Sequence, residues 1–239
     1  MRRIQALFAA FALVAIAACD ETPVSKKDQD SKPAAESKPA VSADPAFAAI
    51  ENFISGAKID VKKTGWRTAL PKPEKVTSWD AKKTYTWTLE TNKGTMKFKF
   101  YPDGAPMHVT NFVYLTKLGY FDGLGFHRVV KKFMAQGGCP TGSGSGTPGY
   151  RYETETTPKY THSKRGILST ARTNMRDTDG SQFFIMFEKK DFLDNQYSVF
   201  GECVDGLAVL DAIEAAGKDR DPAPPSETLT ITKATVAVE

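Results

Sequence analysis

From Thr84 onward, apolar and polar residues alternate in short runs. Tyr85 to Glu90 alternates, Asn92-Lys93-Gly94 turns, and Thr95 to Phe100 alternates again with Met96, Phe98 and Phe100 on one face. Successive strand side chains point to opposite faces, so this pattern predicts a β-hairpin with a glycine-containing turn. The period then changes. Pro106 can open a helix, because its missing N–H would have no partner in a first turn. Val109, Phe112, Val113 and Thr116 form one helical stripe, and Gly119 is a suitable stop. Gly125 to Gln136 reads as a strand, a bend at Lys131-Lys132, and a second strand. Gly137 to Gly149 is glycine-rich with no apolar run and predicts a surface loop. Further strands are expected at Ile167–Ala171, Gln182–Phe187 and Tyr197–Val204. A second helix is expected over Gly206–Ala216, and a last strand carries Leu229, Ile231, Val236 and Val238. Strands do not alternate regularly with helices, which argues against a doubly wound parallel sheet. An antiparallel barrel capped by two helices fits the order better.

The first 83 residues follow other rules. Arg2-Arg3 precedes an apolar run from Ile4 to Ala18, shorter than the ~20 residues of a spanning helix. Residues 1–18 therefore read as a secretory signal peptide. Ile16-Ala17-Ala18-Cys19 resembles the bacterial lipobox, which implies lipidation of Cys19. The expected location is then the cell envelope, anchored to a membrane and facing the periplasm or the outer face of the cell. Residues 19–45 are mostly Lys, Ser, Asp, Pro and Ala, and predict a flexible tether. In residues 46–83, Phe47, Ile50, Phe53 and Ile54 recur at helical spacing with Gly56 as a stop. An extended arm follows, with Trp66 and Trp79 as anchors on the domain at 84–239.

Composition narrows the function classes. The chain has 239 residues and a formal net charge of +4, of which Arg2 and Arg3 would leave with the signal peptide. So small a charge gives no case for nucleic-acid binding. His108, His127 and His162 are scattered, and the cysteines are far apart, so no spacing suggests a metal site. Cys139 and Cys203 could reach an oxidising compartment, but sequence alone does not pair them.

Strand parity points to a site. If Phe183, Ile185 and Phe187 fill the barrel, then Gln182, Phe184 and Met186 lie outside. By the same rule Ala135 points in, while Met134 and Gln136 point out. The result is an exposed apolar patch with two amides, the kind of surface that binds ligands. Arg128 is expected on the outer face of the neighbouring strand, with His127 turned the other way.

These residues carry a family resemblance. Phe126-His127-Arg128-Val129, Phe133-Met134-Ala135-Gln136-Gly137-Gly138, Gly166-Ile167-Leu168-Ser169, Gly180-Ser181-Gln182-Phe183-Phe184-Ile185 and Val199-Phe200-Gly201 resemble the cyclophilin family of peptidyl-prolyl isomerases, from about Thr84 to the C-terminus. The resemblance implies a mainly β fold, a closed eight-stranded antiparallel barrel with two capping helices. It implies that Arg128, Gln136 and Gln182 are catalytic. Phe133, Met134, Phe184 and Leu193 would receive the proline ring. Ala171 and Arg172 would grip the residue before it through the backbone. Phe192 stands where many members carry Trp, and Tyr197 where His is common; both would border the substrate.

Such a site needs no nucleophile, metal or cofactor. Its partners would be proline-containing polypeptides, bound by a monomer that assists folding outside the cytoplasm. The alternative from another class is a non-catalytic module that only holds proline peptides in the same groove. Turnover of a proline peptide separates the two.

Overall fold

The computed structural model describes residues 42–221 and 224–239. The expected signal peptide, Cys19 and nearly all of the tether lie outside these residues. Helix α1 spans Pro45–Ala57, α2 Pro106–Lys117 and α3 Leu207–Ala215. The strands are β1 Tyr85–Thr91, β2 Gly94–Phe100, β3 Phe126–Val130, β4 Met134–Gly137, β5 Ile167–Thr170, β6 Phe183–Met186, β7 Val199–Asp205 and β8 Ile231–Val238. They form one antiparallel sheet in the order β3-β4-β6-β5-β7-β2-β1-β8. Strand number and direction match the expectation. The ladder itself has two ends, β3 and β8. Between them, among the described residues, lie the bridge of Gly125 to Thr230 and the backbone bonds from Phe126 N to Leu229 O at 3.0 Å, Ile231 N to Leu124 O at 2.8 Å and Gly123 N to Ile231 O at 2.8 Å.

The sheet curls because its concave face is filled with rings. Trp87 is fully buried and meets Phe98, Phe100, Phe112, Phe121 and Phe183 at centroid distances of 5.1–6.1 Å. Its indole N–H donates to Thr116 Oγ1 at 2.9 Å, so the polar edge of the ring is satisfied inside the core. Phe112 and Thr116 come from α2, whose residues Met107 to Thr116 are all buried. Gly119 takes φ +69° and lets Tyr120 N bond Leu115 O at 3.0 Å, which closes the helix end.

Helix α1 continues past Gly56 to Ala57 and closes with Lys58 in the left-handed region at φ +48°. Its N-cap, Asp44, accepts from Ala46 N and Phe47 N. The same carboxylate bonds Lys83 Nζ at 2.8 Å and Tyr85 Oη at 3.1 Å, which fastens the start of α1 to the start of β1. The segment after α1 lies along the sheet and α2. Trp66 meets Tyr120 edge-on at 5.9 Å, and Trp79 meets Tyr85 edge-on at 4.8 Å. Arg67 donates to the Tyr120 and Asp122 carbonyls, and Leu70 N donates to Pro148 O. The described residues thus pack as one unit. Cys139 and Cys203 carry free thiols.

Candidate active site

The convex side of the sheet carries a second, smaller cluster. Met134, Phe184 and Met186 point away from the main core, as strand parity requires, and Ala135, Phe183 and Ile185 point into it. The outward side chains are not an exposed patch, however. Phe184 is 5 % exposed, Met134 1 % and Met186 0 %. Loop residues Tyr101, Tyr160, Leu193 and Tyr197 pack over them. His162 forms part of that cover. It stacks on Phe184 at 5.8 Å, donates Nδ1–H to Asp194 at 2.8 Å and sets Nε2 3.1 Å from Ser169 Oγ. Burial lowers its pKa against the pull of Asp194, which keeps the ring neutral under the pocket. What remains open is a cavity of about 180 Å³. That is below the ~300–1,000 Å³ typical of drug-sized sites and suits one small apolar ring.

Phe133, Met134, Phe184, Leu193 and Tyr197 supply the apolar walls of this cavity, and Phe192 its outer lip, 69 % exposed. Phe133 sits in the turn between β3 and β4, where Lys132 takes φ +56°. Phe192 and Leu193 come from the short 3-10 turn Asp191–Leu193. Ala171 and Arg172 follow β5. The Ala171 amide pairs with Gln182 O at 2.9 Å, and the Arg172 guanidinium lies 4.6 Å from the centre of the Tyr197 ring. Arg128 and Gln136 complete the lining. Gln182 stands behind Gln136 and borders a neighbouring cavity of about 370 Å³ that also reaches Ala171 and Arg172.

The three expected polar residues form one bonded chain. Arg128 Nη1 donates to Gln136 Oε1 at 2.8 Å, and Gln136 Nε2 donates to Gln182 Oε1 at 3.0 Å. Gln182 Nε2 then donates to the carbonyls of Gly144 and Gly146 at 2.8 and 2.9 Å. The glycine-rich loop is therefore the far anchor of the chain. It is folded around Cys139, whose sulfur accepts from Gly144 N at 3.2 Å and Gly146 N at 3.3 Å. Arg128 and Gln136 are direct cross-strand partners. The guanidinium carbon lies 5.8 Å from the centre of the Phe133 ring, which supports it from one side.

His127 departs from strict alternation. Phe126 and Val129 both face the core although they are three residues apart, because a bulge between Phe126 and Arg128 inserts one unpaired position. His127 and Arg128 consequently border the same outer cavity, and His127 is not turned the other way. Both His127 ring nitrogens are buried without a hydrogen-bond partner among the described residues. Burial and the neighbouring Arg128 charge lower its pKa, so it is neutral.

Two contacts were not visible in the linear pattern. Asp221 grips Arg128 from a loop 93 residues away. The second is the carbonyl pair of Gly144 and Gly146, since alternation of glycines marks a turn but not which carbonyl faces inward.

Comparison with known proteins agrees with this geometry. Residues 86–236 match the sequence profile of the family described as "Cyclophilin type peptidyl-prolyl cis-trans isomerase/CLD". A Helicobacter pylori protein named peptidyl-prolyl cis-trans isomerase is 46 % identical over 134 residues, covering 55 % of this chain and 82 % of its own. Peptidyl-prolyl cis-trans isomerase B of Bacillus subtilis is 47 % identical over 114 residues, covering 47 % of this chain and 78 % of its own. Among solved structures, a cyclophilin type peptidyl-prolyl cis-trans isomerase of Cryptosporidium parvum superposes with a TM-score of 0.61 at 31 % identity, covering 64 % of this chain and 98 % of its own. The profile match spans more than half of the chain and overlaps every strand of the sheet, and the chain belongs to the cyclophilin-type peptidyl-prolyl cis-trans isomerase family.

Proposed function

We propose that Arg128 is the group through which this isomerase accelerates X–Pro rotation, and that it acts on polypeptides outside the cytoplasm. An X–Pro bond prefers trans by only ~0.5–1 kcal/mol but turns over in tens of seconds. The barrier of ~18–20 kcal/mol is the loss of amide resonance. As the bond twists, the imide nitrogen regains its lone pair and can accept a hydrogen bond, which it cannot do when planar. A donor aimed at that nitrogen therefore binds the transition state better than either ground state. A guanidinium suits the task because it stays charged and its flat fork can be held at fixed angles.

The single observation that carries this reading is the bonded chain from Arg128 through Gln136 and Gln182 to the glycine loop, at the edge of an apolar cavity. The cavity would take the proline ring against Phe133, Met134, Phe184 and Leu193, with Phe192 and Tyr197 at its rim. The backbone N–H of Arg172, next to Ala171, would hold the oxygen of the preceding carbonyl while the imide turns. In support of a proline ligand, the Cryptosporidium parvum relative has also been solved in the presence of the dipeptide Ala-Pro. Dry walls strengthen a preorganised donor. In the same reading the sheet acts as a closed barrel, supported by the Phe126–Leu229 and Ile231–Leu124 backbone bonds between its ends. The protein acts as a monomer tethered to a membrane by lipid on Cys19, a view supported by the N-terminal sequence pattern. Arg128→Ala should lower turnover of a proline peptide by about 10²-fold or more, as removal of a preorganised donor does elsewhere. Turnover near that of the parent would sink the assignment. The mass of the mature N-terminus tests the anchor: an unmodified Cys19 would exclude it.

A further inference from the structure

We propose that Asp221 is a positioning residue for Arg128, holding its guanidinium from the edge opposite Gln136. The proposal rests on the reading that Arg128 is the donor to the twisted imide. Arg128 Nε donates to Asp221 Oδ1 at 2.7 Å, and Nη2 donates to Oδ2. This is the side-on, two-bond fork that matches a carboxylate to a guanidinium. Nη1 meanwhile donates to Gln136 Oε1 at 2.8 Å. A guanidinium has five N–H groups. With three engaged, two remain among the described residues, one on Nη1 and one on Nη2. A plane held by one neighbour can swing about that contact; a plane held on two edges cannot.

The carboxylate is itself held in place. The loop after α3 is fastened to β3, the strand that carries Arg128. Lys131 N donates to Lys218 O at 2.9 Å, and Lys218 N donates to Val129 O at 3.1 Å. Gly217 lies so close to β3 that a Cβ there would sit 2.9 Å from Val129 Cγ1 and 3.1 Å from Val129 O. On the far side, Ser226 N donates to Ala216 O at 2.8 Å and closes the base of the loop. Asp221 follows the β3 contact by three residues. The strand and the loop are thus in register, and the fork is a consequence of that register.

Stability does not account for the pair. The Arg128 and Asp221 side chains are 30 % and 43 % exposed, and an exposed ion pair contributes little to folding. Its energy is spent on geometry instead. The hydrogen bonds from Arg128 hold the Asp221 carboxyl below the usual carboxylate range, so the clamp is ionised throughout the neutral region.

The test uses the full chain with Asp221→Ala, Asp221→Asn and Arg128→Ala. Asp221→Ala should lower kcat about five- to twenty-fold with KM within about twofold, the signature of an interaction needed only in the transition state. The melting temperature should not move. Asp221→Asn keeps one acceptor for Nε and should restore part of kcat. The Arg128 Nε–H resonance should be sharp in the parent and broadened in Asp221→Ala. If Asp221→Ala turns over like the parent or faster while Arg128→Ala is inactive, the positioning role is wrong and the site reading stands. If Arg128→Ala itself keeps parental turnover, the site reading fails first. A fall in melting temperature matching the loss of kcat would reduce Asp221 to a structural residue and overturn the proposal.

Discussion

Gln182→Leu tests whether Arg128 is oriented by a chain of amides rather than by one neighbour. The substitution puts an apolar side chain of similar volume, branched one carbon nearer the backbone, in place of the amide and removes three hydrogen bonds: one accepted from Gln136 at 3.0 Å and two donated to Gly144 and Gly146 at 2.8 and 2.9 Å. Each such bond contributes about 0.5–1.5 kcal/mol net, and water replaces part of it at a half-buried site. The folded state should lose about 1–3 kcal/mol on that basis, or roughly 2–4 °C of melting temperature per kcal/mol in a chain of this size. The functional loss comes from Gln136. Its amide could present either oxygen or NH₂ to the guanidinium, and only the oxygen accepts. Gln182 Oε1 excludes the flipped form because it demands the NH₂ on its own side. Without Gln182 that selection rests on Arg128 alone, and about 1–2 kcal/mol of orienting energy is lost, which is about 5- to 30-fold in rate. The loss should appear in kcat, because Gln182 does not line the 180 Å³ cavity. Turnover of an Ala-Pro peptide by exchange spectroscopy, with thermal melts in parallel, reads both quantities. Parental kcat in Gln182→Leu, or a change confined to KM, would refute the relay.

Two further outcomes follow from the packing. His108 is fully buried between Glu155 Oε2 at 2.8 Å and Asp179 Oδ1 at 3.2 Å. Burial alone would lower its pKa, but the two carboxylates raise it above the ordinary 6.5, while Glu155, pushed up by burial, is drawn below its ordinary 4.5 by His108. The His108 contribution is complete below pH 6.5 and is lost as pH rises through the raised folded value. The Glu155 contribution is present above pH 4.5 and is lost as pH falls through the lowered folded value. Glu155→Gln should cost about 1–3 kcal/mol and flatten the fall of melting temperature above pH 6.5; an unchanged slope would contradict the pairing. Trp79→Ala should cost about 2 kcal/mol, near half the value for a fully buried aromatic, and leave peptide turnover intact. Lost turnover would tie the arm to the site.

Much of this architecture was legible in the chain because alternation and helical spacing report which face is buried. The hairpin from Tyr85 to Phe100, the Pro106 helix and the outward placement of Met134, Gln136 and Phe184 all follow from period alone. Period fails where the backbone adds a residue. The bulge at His127 leaves two consecutive side chains on one side, and nothing in Phe126-His127-Arg128 announces it. Period is also silent about what covers a face. Tyr101, Tyr160 and Leu193 reach the outer cluster from irregular segments, which turns an expected exposed patch into a small buried core with one opening. Asp221 is a longer-range case. Its partner is set by the register of the loop on β3, a tertiary fact with no local signature.

The central claim is that a fixed guanidinium fork, and not positive charge alone, accelerates the rotation. The most direct measurement is the cis–trans exchange rate of a proline peptide at saturating concentration with the parent protein and with Arg128→Lys. Lys keeps the charge but replaces the flat fork by a mobile point donor. The account predicts that Arg128→Lys binds the peptide with near-parental affinity and loses about 10-fold or more of the exchange rate. An exchange rate equal to the parent's would contradict it.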